Sequence, residues 1–367
     1  MRKLFIDKTL LFIVLFLVLF GVMMIASAGT VYSQTRFGDQ YFFLKRQILG
    51  IFLGLVMLYS FSKIDYHFWK KLSFPIFFVA LILLILVLVP GLGTKIYGAS
   101  RWLQLGPFSF QPAEIVKLAI IIYLAAWLES RGYKKVTDFS EGLVPFMIIM
   151  SIVSFLIIKQ PDVGTLGLIG LMATGIYFFS GAKLKHLFFL FLGAILSLAI
   201  LIKFSPYRMN RFLVFLNPEA DPRGAGYQIN QALLALGSGG VFGLGLGQSR
   251  QKFNYLPEPA GDSIFAIIGE ELGLVGASLI VLLFLFLAIR GLKIAKNAPD
   301  KFGQILAVGI TLWIILQAFI NIAAITGLMP LTGIPLPFIS YGGTSIVFLM
   351  AGVGILLNIS RYSKISD

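Results

Sequence analysis

The sequence predicts an all-α polytopic membrane protein with about ten transmembrane helices, both termini in the cytoplasm and a large extracellular loop between helices 7 and 8. The first observation behind this prediction is composition. The 367 residues are 58% hydrophobic and only 13% charged, with a mean hydropathy of +0.92, whereas soluble domains are about 25% charged. The other two observations are the length of the apolar runs and the distribution of Lys and Arg.

Ten apolar runs have the length that a bilayer core requires, which is about 20 residues for a helix. They are too long for strands and lack period-two alternation, and in lipid every backbone amide must pair internally. We therefore expect helices, in a single integral membrane domain that covers residues 1–367 and has its long loop at about 204–262. The runs cover about 10–28, 46–61, 74–90, 113–129, 142–158, 163–180, 185–203, 263–289, 304–327 and 336–358.

The basic residues set the predicted orientation. With a cytoplasmic N-terminus, more than half of the 30 Lys and Arg residues fall in inner segments, and the short outer loops hold far fewer, as the positive-inside rule requires. One alternative concerns the first run, because Arg2-Lys3, the apolar stretch and Ala26-Ser27-Ala28 resemble a cleavable signal peptide. Its loss leaves the other nine spans in the same orientation.

Several function classes are excluded by composition. The chain has no cysteine and two histidines, so thiol chemistry, zinc ribbons and His-rich metal sites are ruled out. The net charge of +14 is scattered between apolar runs, which favours anionic lipid over nucleic acid as the partner. No phosphate-binding loop of a nucleotide enzyme is present, and the glycine-rich run 237–247 is typical of close backbone packing or a re-entrant turn.

Polar residues collect on the outer side of the predicted topology. A cluster there has no access to cytosolic ATP, so it requires a substrate that arrives already activated. The candidate residues are Arg101, Gln111, Glu114, Lys117, Gln160, Asp162, Arg208, Arg211, Gln228, Lys252, Glu258, Asp262 and Ser340.

Local patterns leave two interpretations open for most of these residues. Glu114 and Lys117 share a helix face and form either a neutralised ion pair or part of a polar cavity. Asp162 and Asp262 each precede an apolar run, where an aspartate either caps a helix or serves chemistry. Arg208 and Arg211 suit phosphate, although interfacial arginines also extend to lipid headgroups. Of the adjacent Glu270 and Glu271, at most one can face a given cavity.

A series of polar motifs covers nearly the whole chain. In order they are Arg101-Trp102, Gln111-Pro112-Ala113-Glu114-Ile115-Val116-Lys117, Gln160-Pro161-Asp162-Val163-Gly164-Thr165, residues 211–228, Gly237-Ser238-Gly239-Gly240, Gln251-Lys252-Phe253-Asn254-Tyr255-Leu256-Pro257-Glu258, residues 262–273 and 335–345. Taken in this order, the motifs resemble the SEDS family (shape, elongation, division and sporulation), which includes FtsW and RodA. Two stretches, residues 255–259 and 333–340, are more similar to FtsW than to RodA. One departure is Ala260-Gly261, where many members have His-Thr.

This resemblance implies a peptidoglycan glycosyltransferase in the bacterial cytoplasmic membrane. Such an enzyme polymerises lipid II on the outer face, handles the growing lipid-linked glycan, and pairs with a class B penicillin-binding protein and other division or elongation complex proteins. It also implies that Asp262 is the catalytic residue and that Mg²⁺ or Mn²⁺ is required.

Asp262 acts in this scheme either as the general base for the acceptor hydroxyl or as a ligand of the metal, and the sequence leaves both roles open. Arg101, Lys117, Arg208 and Arg211 are candidates for holding phosphates. Two other functional classes stay open. One is a lipid II flippase, which Glu270 and Glu271 favour, and the other is a non-catalytic scaffold of the division machinery.

Overall fold

A computed structural model describes residues 6–96, 99–106, 108–222 and 224–363. Arg2, Lys3, Arg223 and Lys364, which enter the predictions of topology and loop motif, lie outside these residues. The helices are α1 (Lys8–Ala28), α2 (Thr30–Phe37), α3 (Phe42–Lys63), α4 (His67–Lys71), α5 (Ser73–Leu86), α6 (Pro112–Val136), α7 (Val144–Lys159), α8 (Val163–Phe179), α9 (Leu184–Lys203), α10 (Pro206–Leu216), α11 (Ala225–Ser238), α12 (Ile264–Lys296), α13 (Lys301–Ile325) and α14 (Gly343–Ser360).

The predicted spans correspond closely to helices. Seven of the described helices, counting α7 with the π-helical turn Phe139–Leu143 before it, are long and apolar enough to cross a membrane. Two shorter apolar helices, α5 and α8, cover two further predicted spans. Helix α6 covers another and is 25 residues long, but it contains several charged residues. The polytopic helical fold is therefore confirmed, and the number of ten spans stays a prediction.

The centre of the bundle is formed by α13 and α14, whose residues are mostly buried. Helix α14 packs along α3, and α13 packs against α6, α8 and α12. By contrast, α9 lies at the periphery, with His186 as its one buried residue. The buried polar side chains of α6 and α13, namely Glu114, Lys117, Thr311, Gln317 and Asn321, face protein rather than lipid, as intramembrane polar groups usually do.

Two features of the fold differ from the expectation. The last helix begins at Gly343, not near 336, because Pro335 and Pro337 have no amide hydrogen to continue a helical ladder; residues 330–342 are irregular. In addition, an antiparallel sheet in the order β1 (Gly93–Ile96), β2 (Ala99–Leu105) and β3 (Phe108–Phe110) precedes α6. This sheet is an addition to the predicted all-helical fold.

Helix α12 is interrupted at Gly273, which has φ +66° and ψ −166°. The backbone groups freed by the break bond to the glycine-rich loop: the amides of Leu244 and Gly245 donate to the carbonyls of Glu270 and Glu271 at 2.9 and 3.0 Å. A Cβ at Gly243 would collide with the α12 backbone. This loop therefore lies directly against a transmembrane helix, which confirms the prediction of close backbone packing.

Candidate active site

Asp262 lies immediately before α12, but it does not cap that helix. The N-cap position belongs to Ser263, whose hydroxyl accepts a bond from Gln228 Nε2 of α11 at 3.0 Å. Asp262 is partly buried, and its Oδ1 is fully covered without a hydrogen-bond partner among the described residues. The carboxylate is therefore available for chemistry rather than committed to holding the helix end.

The surroundings raise the pKa of Asp262 from 3.8 to about 6. Burial is the main cause, because a carboxylate loses hydration when it leaves water. The negative charge of Glu258 adds to the rise, while Arg211 and hydrogen bonds, including one with Gln228, oppose it. A carboxyl group with this pKa exchanges its proton near neutral pH, which is the property of an effective general base.

Glu258 is held in place by the first helical hairpin. Its Oε1 accepts a bond from the Tyr32 hydroxyl at 3.0 Å, and Arg36 lies 3.6 Å away. The backbone of Glu258 is left-handed, with φ +48°, a conformation that costs energy in a non-glycine residue. The same turn is fixed by the Tyr341 amide, which donates to the carbonyl of Ala260 at 2.8 Å.

The two arginines of α10 have different surroundings. Arg211 donates to the carbonyl of Leu331 at 2.8 Å and lies over the ring of Tyr207, 4.8 Å from its centroid. Arg208 donates instead to the carbonyl of Leu201 at the end of α9, at 3.3 Å. Arg211 also borders an apolar cavity of about 80 Å³ between α10, α11 and residues 327–331. Of the pair, Arg211 is therefore the one that faces the candidate site.

Lys252 belongs to a buried network that anchors the loop leading to Asp262. Its ammonium donates to Glu271 Oε1 at 3.2 Å, to Ser27 Oγ at 3.1 Å and to the carbonyl of Gly247 at 2.6 Å. Glu270 accepts from the Ser249 hydroxyl at 2.5 Å. Both acidic side chains at this point of α12 thus bind the loop, and Lys252 is only 6% exposed.

Four polar residues predicted for the site form a second cluster around the α7–α8 turn. Arg101 on β2 donates to the carbonyls of Gln160 and Pro161 at 3.0 and 2.5 Å. Asp162 caps α8 through the Thr165 amide at 3.1 Å, as its local pattern predicts, and accepts from Gln111 Nε2 at 3.4 Å. Gln160 donates to the carbonyl of Leu84 at 3.2 Å. These bonds connect the sheet with α6, α7 and α8.

Glu114 and Lys117 are buried inside the bundle as an ion pair of 2.7 Å. Lys117 also donates to Gln317 Oε1 of α13 at 3.1 Å. Ser340 Oγ accepts from the Leu336 amide at 2.8 Å and shapes the irregular segment before α14. The structure therefore gathers Asp262, Glu258, Arg211 and Gln228 at one place and distributes the other predicted residues around it.

Sequence reasoning missed Tyr32 and Arg36, which hold Glu258, and also Gln317 and Asn321 on α13. Asn321 Nδ2 donates to the carbonyl of Asp262 at 2.8 Å. The available signal was the spacing of these two amides, four residues apart in an otherwise apolar run, which places them on one helix face.

Fold and site together define a polytopic membrane protein with a partly buried, proton-exchanging carboxylate at the head of a broken helix. A family model described as "Cell cycle protein", for FtsW, RodA and SpoVE, matches residues 8–365, and the chain belongs to this family. It is accordingly a multi-pass protein of the bacterial cytoplasmic membrane.

Similar proteins cover the chain almost completely. Stage V sporulation protein E of Bacillus subtilis (strain 168) is 45% identical over 362 residues, 98% of each chain. A probable peptidoglycan glycosyltransferase FtsW of Geobacter sulfurreducens is 42% identical over 358 residues, 98% of this chain and 96% of that protein.

Two solved structures are also similar to the whole chain. A chain from a study of a peptidoglycan synthase complex that coordinates polymerization and crosslinking has a TM-score of 0.80 at 29% identity, over 97% of this chain and 98% of that one. The rod shape determining protein RodA of Thermus thermophilus has a TM-score of 0.72 at 27% identity, over 98% of both chains.

Proposed function

We propose that this protein is a peptidoglycan glycosyltransferase that polymerises lipid II at the outer face of the cytoplasmic membrane, with Asp262 as the general base. The observation that carries the proposal is the environment of Asp262, where a covered, unpartnered oxygen and a pKa near 6 coincide. The names of the similar proteins supply the substrate class and agree with this chemistry.

The reaction forms one bond and breaks another. The acceptor hydroxyl oxygen attacks the anomeric carbon of the donor sugar, its proton passes to the Asp262 carboxylate, and the bond to the prenyl diphosphate breaks with its electron pair leaving on the diphosphate. Direct displacement inverts the anomeric centre. Arg211, whose positive charge acts on Asp262, stabilises the charge that develops on the leaving group.

We further propose that a divalent cation assists departure of the diphosphate. The described residues contain no group of three acidic or histidine side chains arranged to hold a metal ion. With Asp262 as the base, such an ion would be held by the diphosphate of the substrate. In the alternative role of Asp262, its covered oxygen is a suitable hard donor for the ion in place of the proton. When bound, it would supply charge neutralisation to the leaving group.

We also place this chain in a complex with a class B penicillin-binding protein, acting in cell division. Support comes from the similar chain in a peptidoglycan synthase complex and from the relatives named FtsW. Glu270 and Glu271 are the residues that favoured the alternative of a lipid II flippase. Both are bonded to the loop before Asp262. No described contact therefore favours transport over polymerisation.

The direct test is polymerisation of lipid II by purified protein with its partner. Asp262→Ala and Asp262→Asn should reduce the rate by about 10²–10⁴-fold, the usual contribution of a general base. Glu219→Gln, which changes an exposed acid of the same loop, is the matched control and should leave the rate unchanged. Near-normal polymer from folded Asp262→Asn protein would remove Asp262 from the mechanism.

Two further measurements separate the alternatives. Arg211→Ala should lower kcat/KM for lipid II more than Arg208→Ala does, because of the two arginines it is Arg211 that faces the site; equal effects would remove the phosphate role of Arg211. In liposomes, translocation of labelled lipid II without polymer would favour the flippase, whereas polymer from externally added lipid II supports the enzyme.

A further inference from the structure

Helix α13 carries two buried amide side chains, Gln317 and Asn321, which are 0% and 1% exposed. They are four residues apart and occupy one face of an apolar helix. Polar groups in such a position are costly unless they are paired or functional. The hydrogen-bond partners of the two amides therefore indicate the role of this face of α13.

Both amides hold backbone carbonyls outside their own helix. Asn321 Nδ2 donates to the carbonyls of Asp262 and Ile334, each at 2.8 Å. Gln317 Nε2 donates to the carbonyl of Pro335 at 3.0 Å. The irregular segment 330–342 lacks regular secondary structure, so these side chains supply bonds that a helix or sheet would otherwise give. Asn321 is the point where this segment and the Asp262 backbone meet.

The orientation of the Gln317 amide is set by the two donors that bond to its oxygen. Its Oε1 accepts from Lys117 Nζ at 3.1 Å and from Trp313 Nε1 at 2.9 Å, so the amide nitrogen must point toward Pro335. Lys117 is in turn fixed by Glu114. A continuous set of bonds thus runs from the buried ion pair of α6 to the segment that Asn321 shares with Asp262.

We propose that Asn321 is a positioning residue for Asp262, holding its backbone against the 334–335 segment so that the carboxylate is aimed at the acceptor hydroxyl. This inference rests on the proposed function. Asp262 makes no capping bond that would fix its side chain, and its Oδ1 has no partner among the described residues. The bond to its carbonyl therefore adds a restraint on the backbone to the hydrogen bond that Gln228 makes with the carboxylate. Asn321 itself does not touch the substrate.

The experiment measures kcat and KM for lipid II with the full-length protein and its partner. Asn321→Ala and the nearly isosteric Asn321→Leu both remove the donor, and kcat should fall by about 10–100-fold, the effect of a small misplacement, with KM within about twofold. Thr311→Val is the matched control, since among the described residues this buried hydroxyl on α13 bonds within its own helix, to the carbonyl of Ala307, and the variant should keep wild-type kinetics.

A second readout tests position directly. The chain has no cysteine, so spin labels can be placed at Tyr255, in the loop before Asp262, and at Leu328, two residues before the segment 330–342, where the side chains are 57% and 76% exposed. Asn321→Ala should broaden the distance distribution between the labels, and Thr311→Val should not. Size-exclusion chromatography of each variant confirms that it is folded.

The outcomes are distinct for the two proposals. Preserved kcat, a raised KM with unchanged kcat, or a distribution as narrow as that of the wild type overturns the positioning role of Asn321. If Asp262→Ala, assayed in parallel, abolishes polymer in any of these cases, the proposed function stands alone. Retained activity in Asp262→Ala overturns the catalytic assignment and the positioning role together.

Discussion

Replacing Asp262 by asparagine should stabilise the fold while abolishing polymerisation. The rise of the Asp262 pKa from 3.8 to about 6 corresponds to roughly 3 kcal/mol at about 1.36 kcal/mol per pKa unit. Part of the side chain still contacts water, so we expect about half of that free energy. Asparagine has nearly the same shape and no charge to desolvate, and it therefore avoids this penalty.

The raised pKa of Asp262 determines how the free energy of unfolding changes with pH. Because the folded-state pKa is raised, the folded protein binds the proton more tightly than the unfolded chain does. The contribution of Asp262 to the free energy of unfolding of the wild type therefore decreases as pH rises from about 3.8 through 6. Above that range, the contribution of this group is constant. The stability difference between Asp262→Asn and wild type should grow from zero to its full size across the same interval.

The assay is thermal unfolding in detergent with a chelator present, so that no bound cation alters the titration. Above pH 7 the variant should melt roughly 2 °C higher than wild type, from the size scaling of unfolding entropy, and below pH 4 the two should coincide. Glu219→Gln should show no pH-dependent difference. An Asp262→Asn variant that melts lower than wild type at every pH would refute the reasoning, because the carboxylate would then be stabilising.

Three other predictions concern the buried ion pair of α6, the glycine-rich loop and the divalent cation. Lys117→Met should cost about 3–5 kcal/mol, because it leaves the buried carboxylate of Glu114 unpaired, and the double change with Glu114→Leu should recover much of the melting temperature. Gly243→Ala should lower the yield of folded protein, since its φ is +80° and its Cβ would collide with α12, whereas Gly237→Ala, with no atom within 4 Å, should express normally. Polymerisation should stop in a chelator and resume with Mg²⁺ or Mn²⁺; full activity in the chelator would exclude a metal ligand role for Asp262.

Local sequence predicts the parts of this protein whose interactions are local. Runs of apolar residues define the helices, because lipid allows the backbone no other partner. Asp162 is a helix cap within three residues of its partner Thr165. The start of α14 is less well predicted, since apolar content continues through Pro335 and Pro337 while the helical ladder does not.

The candidate site was predictable only in part. Motif resemblance led to Asp262, and the cost of charge in a membrane led to Glu114 and Lys117. Neither indicates that Arg211 rather than Arg208 faces Asp262, because both lie on one short helix and differ only in their distant partners, Leu331 and Leu201.

Hydropathy and neighbours within a helical turn are enough to predict a multi-pass helical membrane protein, the approximate positions of its long apolar helices and the polar residues that interrupt them. Which of these polar residues meet depends on the packing of the whole bundle. Asn321 reaches the carbonyl of Asp262 across 59 positions, and Ser27 reaches Glu271 across 244. Such contacts arise because a buried donor must find an acceptor wherever packing brings one within reach, and packing is a property of the whole bundle.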